Sequence, residues 1–88
     1  MKYKVGDEVM GVKAYDGNAG MIGNTGKIVE IRDGLIYDII WDKKMGRGHD
    51  SSGRCKVGHG WNVNSNQEDC LNCLKSAKIT NWKKRFTE

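Results

Sequence analysis

The chain reads as a single all-β domain, a small antiparallel barrel or pair of packed sheets made of four or five short strands. Three observations carry that reading. Thirteen Ile and Val stand against three Leu in 88 residues, and branched side chains suit a pleated surface. Short apolar runs alternate with two long stretches rich in Gly, a residue that supplies the positive φ of tight turns. No central segment has convincing helical periodicity, so closing the sheet is the cheapest way for so short a chain to protect its strand edges.

The first strand signal runs over Glu8–Ala14, introduced by Gly6-Asp7. Residues 16–26 hold four Gly and two Asn in eleven positions and read as a loop of several turns. Lys27–Arg32 follows as a strand with Val29 and Ile31 on one face, and Asp33-Gly34 is the strongest short hairpin signal. Leu35–Asp42 is the clearest strand: Tyr37, Ile39 and Trp41 point one way, towards the core, and Ile36, Asp38, Ile40 and Asp42 the other. A second Gly-rich loop fills residues 43–60, and Trp61-Asn62-Val63 is a short strand with Trp61 and Val63 inwards. Ser65-Asn66-Gln67-Glu68 has the spacing of a capping box. It opens either a helix with Cys70, Leu71, Cys73, Leu74 and Ala77 on one face, or one 3₁₀ turn leading to a last strand with Leu71 and Cys73 inwards. The turn and strand fit a barrel better.

Composition bounds the function. Of the 88 residues, 42 are apolar or Gly, which is enough for a folded core and excludes wholesale disorder. No apolar run approaches the length of a membrane span, and the N-terminal residues lack an export signal, so a cytoplasmic protein without membrane partners is expected. Residues 1–74 carry ten cations and ten carboxylates, whereas residues 75–88 carry five cations and one carboxylate. The organisation expected is therefore a neutral barrel over 1–74 with a basic tail over 75–88, the tail forming a short helix or a loose arm.

The order Val5-Gly6-Asp7-Glu8-Val9, Gly23-x-x-Gly26-x-Ile28-Val29-x-Ile31, Tyr37-Asp38-Ile39-Ile40-Trp41-Asp42 and Gly60-Trp61-x-Val63 resembles SH3-like barrels, above all the CAP-Gly and Mind-bomb types. It is also similar to small bacterial and phage proteins that carry a Gly-His-Asp…Gly-Arg…Gly-His-Gly-Trp loop. The resemblance covers residues 3–74. It implies an SH3-like fold and a binding module in place of an enzyme. The CAP-Gly ligand is not carried over, because Gly46-Arg47-Gly48-His49-Asp50-Ser51-Ser52-Gly53 stands where that family has Gly-Lys-Asn-Asp-Gly. A phage or mobile-element protein that inhibits a host factor is a further extension of the same resemblance.

Several motifs bear on chemistry. Cys55-x₃-His59 followed by Cys70-x₂-Cys73 offers four zinc ligands in two close pairs, against which stands the habit of free Cys to be buried as a small hydrophobe. No cofactor is expected otherwise. A redox Cys70-x₂-Cys73 pair lacks the βαβ context it needs. His49-Asp50-Ser51-Ser52 lies in one loop and reads as backbone-bonding residues, with His59, that hold the excursion shut, rather than as a nucleophile and its base. Gly20-x₅-Gly26-Lys27 is one residue too long for a phosphate loop and is followed by Ile28. The expected function is protein–protein contact through the two Gly-rich loops, with Arg47, His49, Asp50, Arg54, His59 and Trp61 as contact residues. The rival is nucleic-acid binding by the tail, through Lys75, Lys78, Trp82, Lys83, Lys84 and Arg85.

Overall fold

The computed structural model describes residues 2–74, so the basic tail and its candidate nucleic-acid contacts lie outside the described residues. Asp33-Gly34 makes the turn expected of it. Both residues take positive φ, 54° and 65°, and the Leu35 N–H donates to the Arg32 carbonyl at 2.8 Å. This is type I′ geometry, whose twist matches that of the flanking strands. The turn joins β2 (Thr25–Arg32) to β3 (Ile36–Trp41). With β1 (Glu8–Gly11), β4 (Val63–Asn64) and β5 (Leu71–Cys73) they form one antiparallel sheet in the order β4-β3-β2-β1-β5. The sheet curls into a half-barrel, and the 3₁₀ turn Ser65–Cys70 carries the chain from one edge strand to the other.

Tyr37, Ile39 and Trp41 are all buried on the concave face, as their alternation predicts. The phase of β2 differs from the expectation. Ile28, not Val29, is fully buried, and Ile31 packs beside it. The pairing explains why: Ile28 faces Ile39 and Glu30 faces Asp38, so Val29 is the extra residue of a β-bulge. A bulge shifts the alternation by one, which brings two Ile three positions apart onto the same face. The shift leaves Glu30 and Arg32 on the convex face, beside Asp38.

Other boundaries move for local reasons. β1 stops at Gly11 rather than Ala14, because the Val12 and Lys13 N–H groups both turn to the Cys70 carbonyl. β4 begins at Val63, while Trp61 stays half-buried against the core. The capping box is not formed. Asn64 caps the 3₁₀ turn by accepting from Asn66 N–H at 3.1 Å, and the Ser65 N–H donates to Leu35 O at 2.7 Å. A 3₁₀ segment, kinked at Gln67 where φ is −119°, and a final strand replace the alternative helix, with Leu71 buried and Cys73 against the core.

Both long loops plug the barrel as well as connecting strands. Met21, from the 3₁₀ turn Ala19–Met21, and Met45, from the second loop, are buried beside Val9, Ile28 and Val63. Each such side chain contributes about 1.5–3 kcal/mol when removed from water. Asn24 staples the two loops together. Its amide donates to Lys43 O at 2.9 Å and its carbonyl accepts from Lys43 N–H at 3.1 Å and Thr25 N–H at 2.9 Å.

Glu68 is diverted to the N-terminal segment. It accepts from the Lys2 N–H at 2.8 Å and from the Tyr37 hydroxyl, which in turn accepts from Tyr3 N–H at 3.2 Å. The Tyr37 bond, then that of Lys2, hold the Glu68 carboxyl below its usual range. Burial, then the Glu68 bond, push Tyr37 up to about 12. A depressed carboxylate stabilises the fold above its unfolded value of 4.5, and that contribution is lost as pH falls below it. A raised phenol contributes fully below pH 10.0, and its share is lost as pH climbs towards about 12. Urea midpoints are therefore expected to fall at both extremes. Tyr37→Phe is expected to cost about 1.5–3 kcal/mol at neutral pH and to flatten both limbs; unchanged limbs would refute the assignment.

Candidate functional site

The site grows from a charge conflict on the convex face. The bulge sets Glu30 directly opposite Asp38, and like charges across an antiparallel pair repel. Two guanidinium groups resolve it. Arg32, diagonal to Asp38, donates from Nε to both carboxylate oxygens at 2.9 Å. Arg54 reaches down from the second loop and bridges the acids, Nη1 to Glu30 at 2.8 Å and Nη2 to Asp38 at 2.8 Å. Asp38, placed by its alternation on the outward face, is thereby only 2% exposed. The loop covers it.

Arg54 is aimed by a left-handed turn. Ser51, Ser52 and Gly53 have φ of 51°, 59° and 87°. Non-glycine residues held there cost about 1–3 kcal/mol each, so other contacts must impose the shape. Three do so. The Arg54 Nε donates to Ser51 O at 3.0 Å, Nη2 donates to Ser51 Oγ at 3.0 Å, and the Ser51 N–H donates to His49 Nδ1 at 3.0 Å. The last bond places the neutral ring's proton on Nε2. Between this turn and the sheet lies a recess of about 330 Å³ lined by Glu30, Arg32, Asp38 and Arg54 from the ion-pair cluster, with His49, Ser51, Ser52 and Asn62 around them.

The opposite side of the loop is organised by Trp61. Its indole N–H donates to Tyr15 O at 3.2 Å, in the first loop. The His49 ring stacks on it at 6.3 Å and the Arg47 guanidinium lies 5.4 Å from its centre. Arg47 also donates to Asp16 O at 2.5 Å, so both Gly-rich loops meet here. His49 and Gly60 exchange backbone hydrogen bonds at 2.8 Å in each direction, and His59 Nδ1 bonds Trp41 O at 2.8 Å. Both histidines thus bond backbone, as the sequence reading expects.

Of the six contact residues expected in the loops, His49 and Arg54 line the recess, and Arg47 and Trp61 form the neighbouring cluster. Asp50 is exposed, and its carbonyl accepts from Gly53 and Cys55 N–H within the turn. His59 is half-buried beneath the loop. Sequence reasoning missed Glu30, Arg32, Asp38, Ser51, Ser52 and Asn62 as members of the site. The signal available was Glu30-x-Arg32 across an Asp-Gly turn from Asp38, opposite charges on one face of a hairpin.

The four candidate zinc ligands are not brought together. Cys55 lies in the second loop with its Sγ 4.0 Å from His49 O, His59 is committed to Trp41, Cys70 is in the core and Cys73 of β5 is paired with Val9 of β1. Among the described residues no three His, Cys, Asp or Glu side chains are grouped to hold a metal ion. Burial, then the Asp50 charge, push the Cys55 thiol up, and burial, then Asp69, do the same to Cys70. Neither has the lowered value of a reactive thiolate. Among the described residues no helix is long and apolar enough to cross a membrane. Comparison with protein-family models, with curated proteins and with solved structures gives no match.

Proposed function

We propose that the chain is a non-catalytic binding module or small regulatory protein, a barrel of SH3-like type that grips a protein partner with its two Gly-rich loops. One observation carries this reading: Arg47 and Trp61 tie the second loop to the first through Asp16 O and Tyr15 O, so that the two loops make one continuous, braced surface. Bracing matters because a loop already ordered before contact loses little conformational entropy on binding. The left-handed Ser51-Ser52-Gly53 turn is consistent with it, since backbone strain kept at a surface loop concentrates at sites that act.

The test is capture of a partner from the native cell by the full chain, with Arg47→Ala, His49→Ala and Val57→Asp variants beside it, Val57 being an exposed apolar residue of the second loop. A partner held by the native protein is expected to be lost by at least about tenfold from the variants, the loss typical of central contact residues. Equal retention by all three variants would overturn the reading.

A further inference from the structure

We infer that the partner surface gripped by the second loop is acidic, an extension that rests on the loop-binding reading above. The charges of the described residues are segregated. Residues 42–60 hold five cations, Lys43, Lys44, Arg47, Arg54 and Lys56, against two carboxylates, Asp42 and Asp50. Residues 2–41 and 61–74 hold five cations against eight carboxylates. A neutral barrel is thus a dipolar one, with an excess of three positive charges on this single excursion.

Ion pairing leaves two of those three charges outward. Arg54 is spent on Glu30 and Asp38. Lys43, Lys44, Arg47 and Lys56 are exposed, and none forms an ion pair among the described residues. Asp42 accepts from the Thr25 hydroxyl at the base of the loop. Backbone contacts bring the cations close. The tight turn Lys56-Val57-Gly58-His59 is closed by His59 N–H to Lys56 O at 3.1 Å, with Gly58 at φ 100°. Met45 N–H donates to Gly58 O at 2.7 Å, and the Lys44 stem lies against the Gly58 backbone. Lys44 and Lys56 therefore flank the tip of the turn. Val57 stands on that tip, 67% exposed, the most exposed large apolar side chain among the described residues.

Cations around an aliphatic tip suit a protein surface of carboxylates and apolar side chains, with the charges steering encounter and fixing register. Single-stranded nucleic acid would call for a free aromatic face on which bases stack. Here the patch aromatic, Trp61, has its ring packed by His49 and Arg47 and its N–H committed to Tyr15.

The experiment uses the full chain and fluorescence anisotropy with three probes: a Glu- and Leu-rich peptide, the same peptide with Gln for Glu, and a single-stranded oligodeoxynucleotide as competitor. The acidic peptide is expected to bind at least about tenfold tighter than its Gln counterpart, and to weaken steadily with added salt. Lys44→Glu with Lys56→Glu is expected to remove that preference while leaving the urea midpoint unchanged, as both side chains are exposed. Absence of binding, or displacement of the peptide by the oligonucleotide at equal charge concentration, overturns the acidic-protein assignment. Equal binding of both peptides, abolished by Val57→Asp alone, also overturns it but leaves the loop-binding reading standing. That reading fails separately, when a native partner is retained by every loop variant.

Discussion

Arg54→Ala is expected to lower the stability of the barrel by about 2–4 kcal/mol and to release the second loop from the sheet. The size of the effect follows from what Arg54 touches. Among the described residues its guanidinium alone bridges Glu30 and Asp38, and Asp38 is 2% exposed, so removal leaves a buried carboxylate beside a second acid with Arg32 to offset them. The same side chain holds Ser51 through its carbonyl and hydroxyl, so the left-handed turn loses its brace at the same time. Arg54→Lys recovers only part of the loss, because one ammonium cannot present the planar fork that serves both acids and Ser51. Asp38→Asn in the Arg54→Ala background is expected to be less costly than the sum of the single changes, a coupling above about 1 kcal/mol. Urea unfolding measures the stabilities, and amide exchange over residues 49–60 follows the loop. A midpoint shift under about 0.5 kcal/mol, with exchange unchanged, would show that the clamp carries no weight.

Gly11→Ala is expected to cost about 3 kcal/mol, with the first loop as the casualty. Gly11 ends β1 where three segments converge: it pairs with Leu71 of β5, its N–H donates to Asn24 O at 3.0 Å, and its carbonyl accepts from Gly23 N–H at 2.8 Å. A methyl group there would fall on the Met21 carbonyl, which is backbone and cannot swing aside. Relief requires moving the 3₁₀ turn and drawing Met21, now fully buried, out of the core. Gly46→Ala is the control. Nothing lies near that position and its φ is ordinary, so its stability is expected to stay within about 0.5 kcal/mol of the native protein. Equal stability of the two variants in urea would sink the packing argument.

The hairpin was legible because its signals are local. Asp33-Gly34 has its conformational preference whatever surrounds it, and the alternation of Tyr37, Ile39 and Trp41 has one satisfactory phase. β2 was less legible, since Ile28, Val29 and Ile31 offer apolar residues to either face and a bulge changes which pair is buried. Nothing in β2 itself announces the bulge; it appears only in the register against β3. The site was legible in part. The Gly-rich loop with His49 and Arg54 could be named from its composition, but Arg54 meets Glu30 and Asp38 across separations of 24 and 16 residues.

Met21 and Met45 carry the same lesson into the core. Each lies in a Gly-rich stretch without apolar periodicity, Met21 beside an Ile22 that stays exposed, and each ends fully or almost fully buried. Such a residue has no periodicity to read, although its presence in a loop is itself a sign that the loop folds inwards. Residue order alone settled the all-β class, the Asp-Gly hairpin and the inward face of β3, because those depend on φ preferences and on neighbours two positions apart; after Ser65 it left a helix and a turn with a strand both open, and pairing of Leu71–Cys73 with β1 decided for the strand. Folding in three dimensions settled the bulge at Val29, the burial of Asp38 under Arg54, the two methionine plugs and the dispersal of Cys55, His59, Cys70 and Cys73. Each of these depends on which distant segment arrives opposite a given side chain, and burial and charge compensation are properties of that meeting.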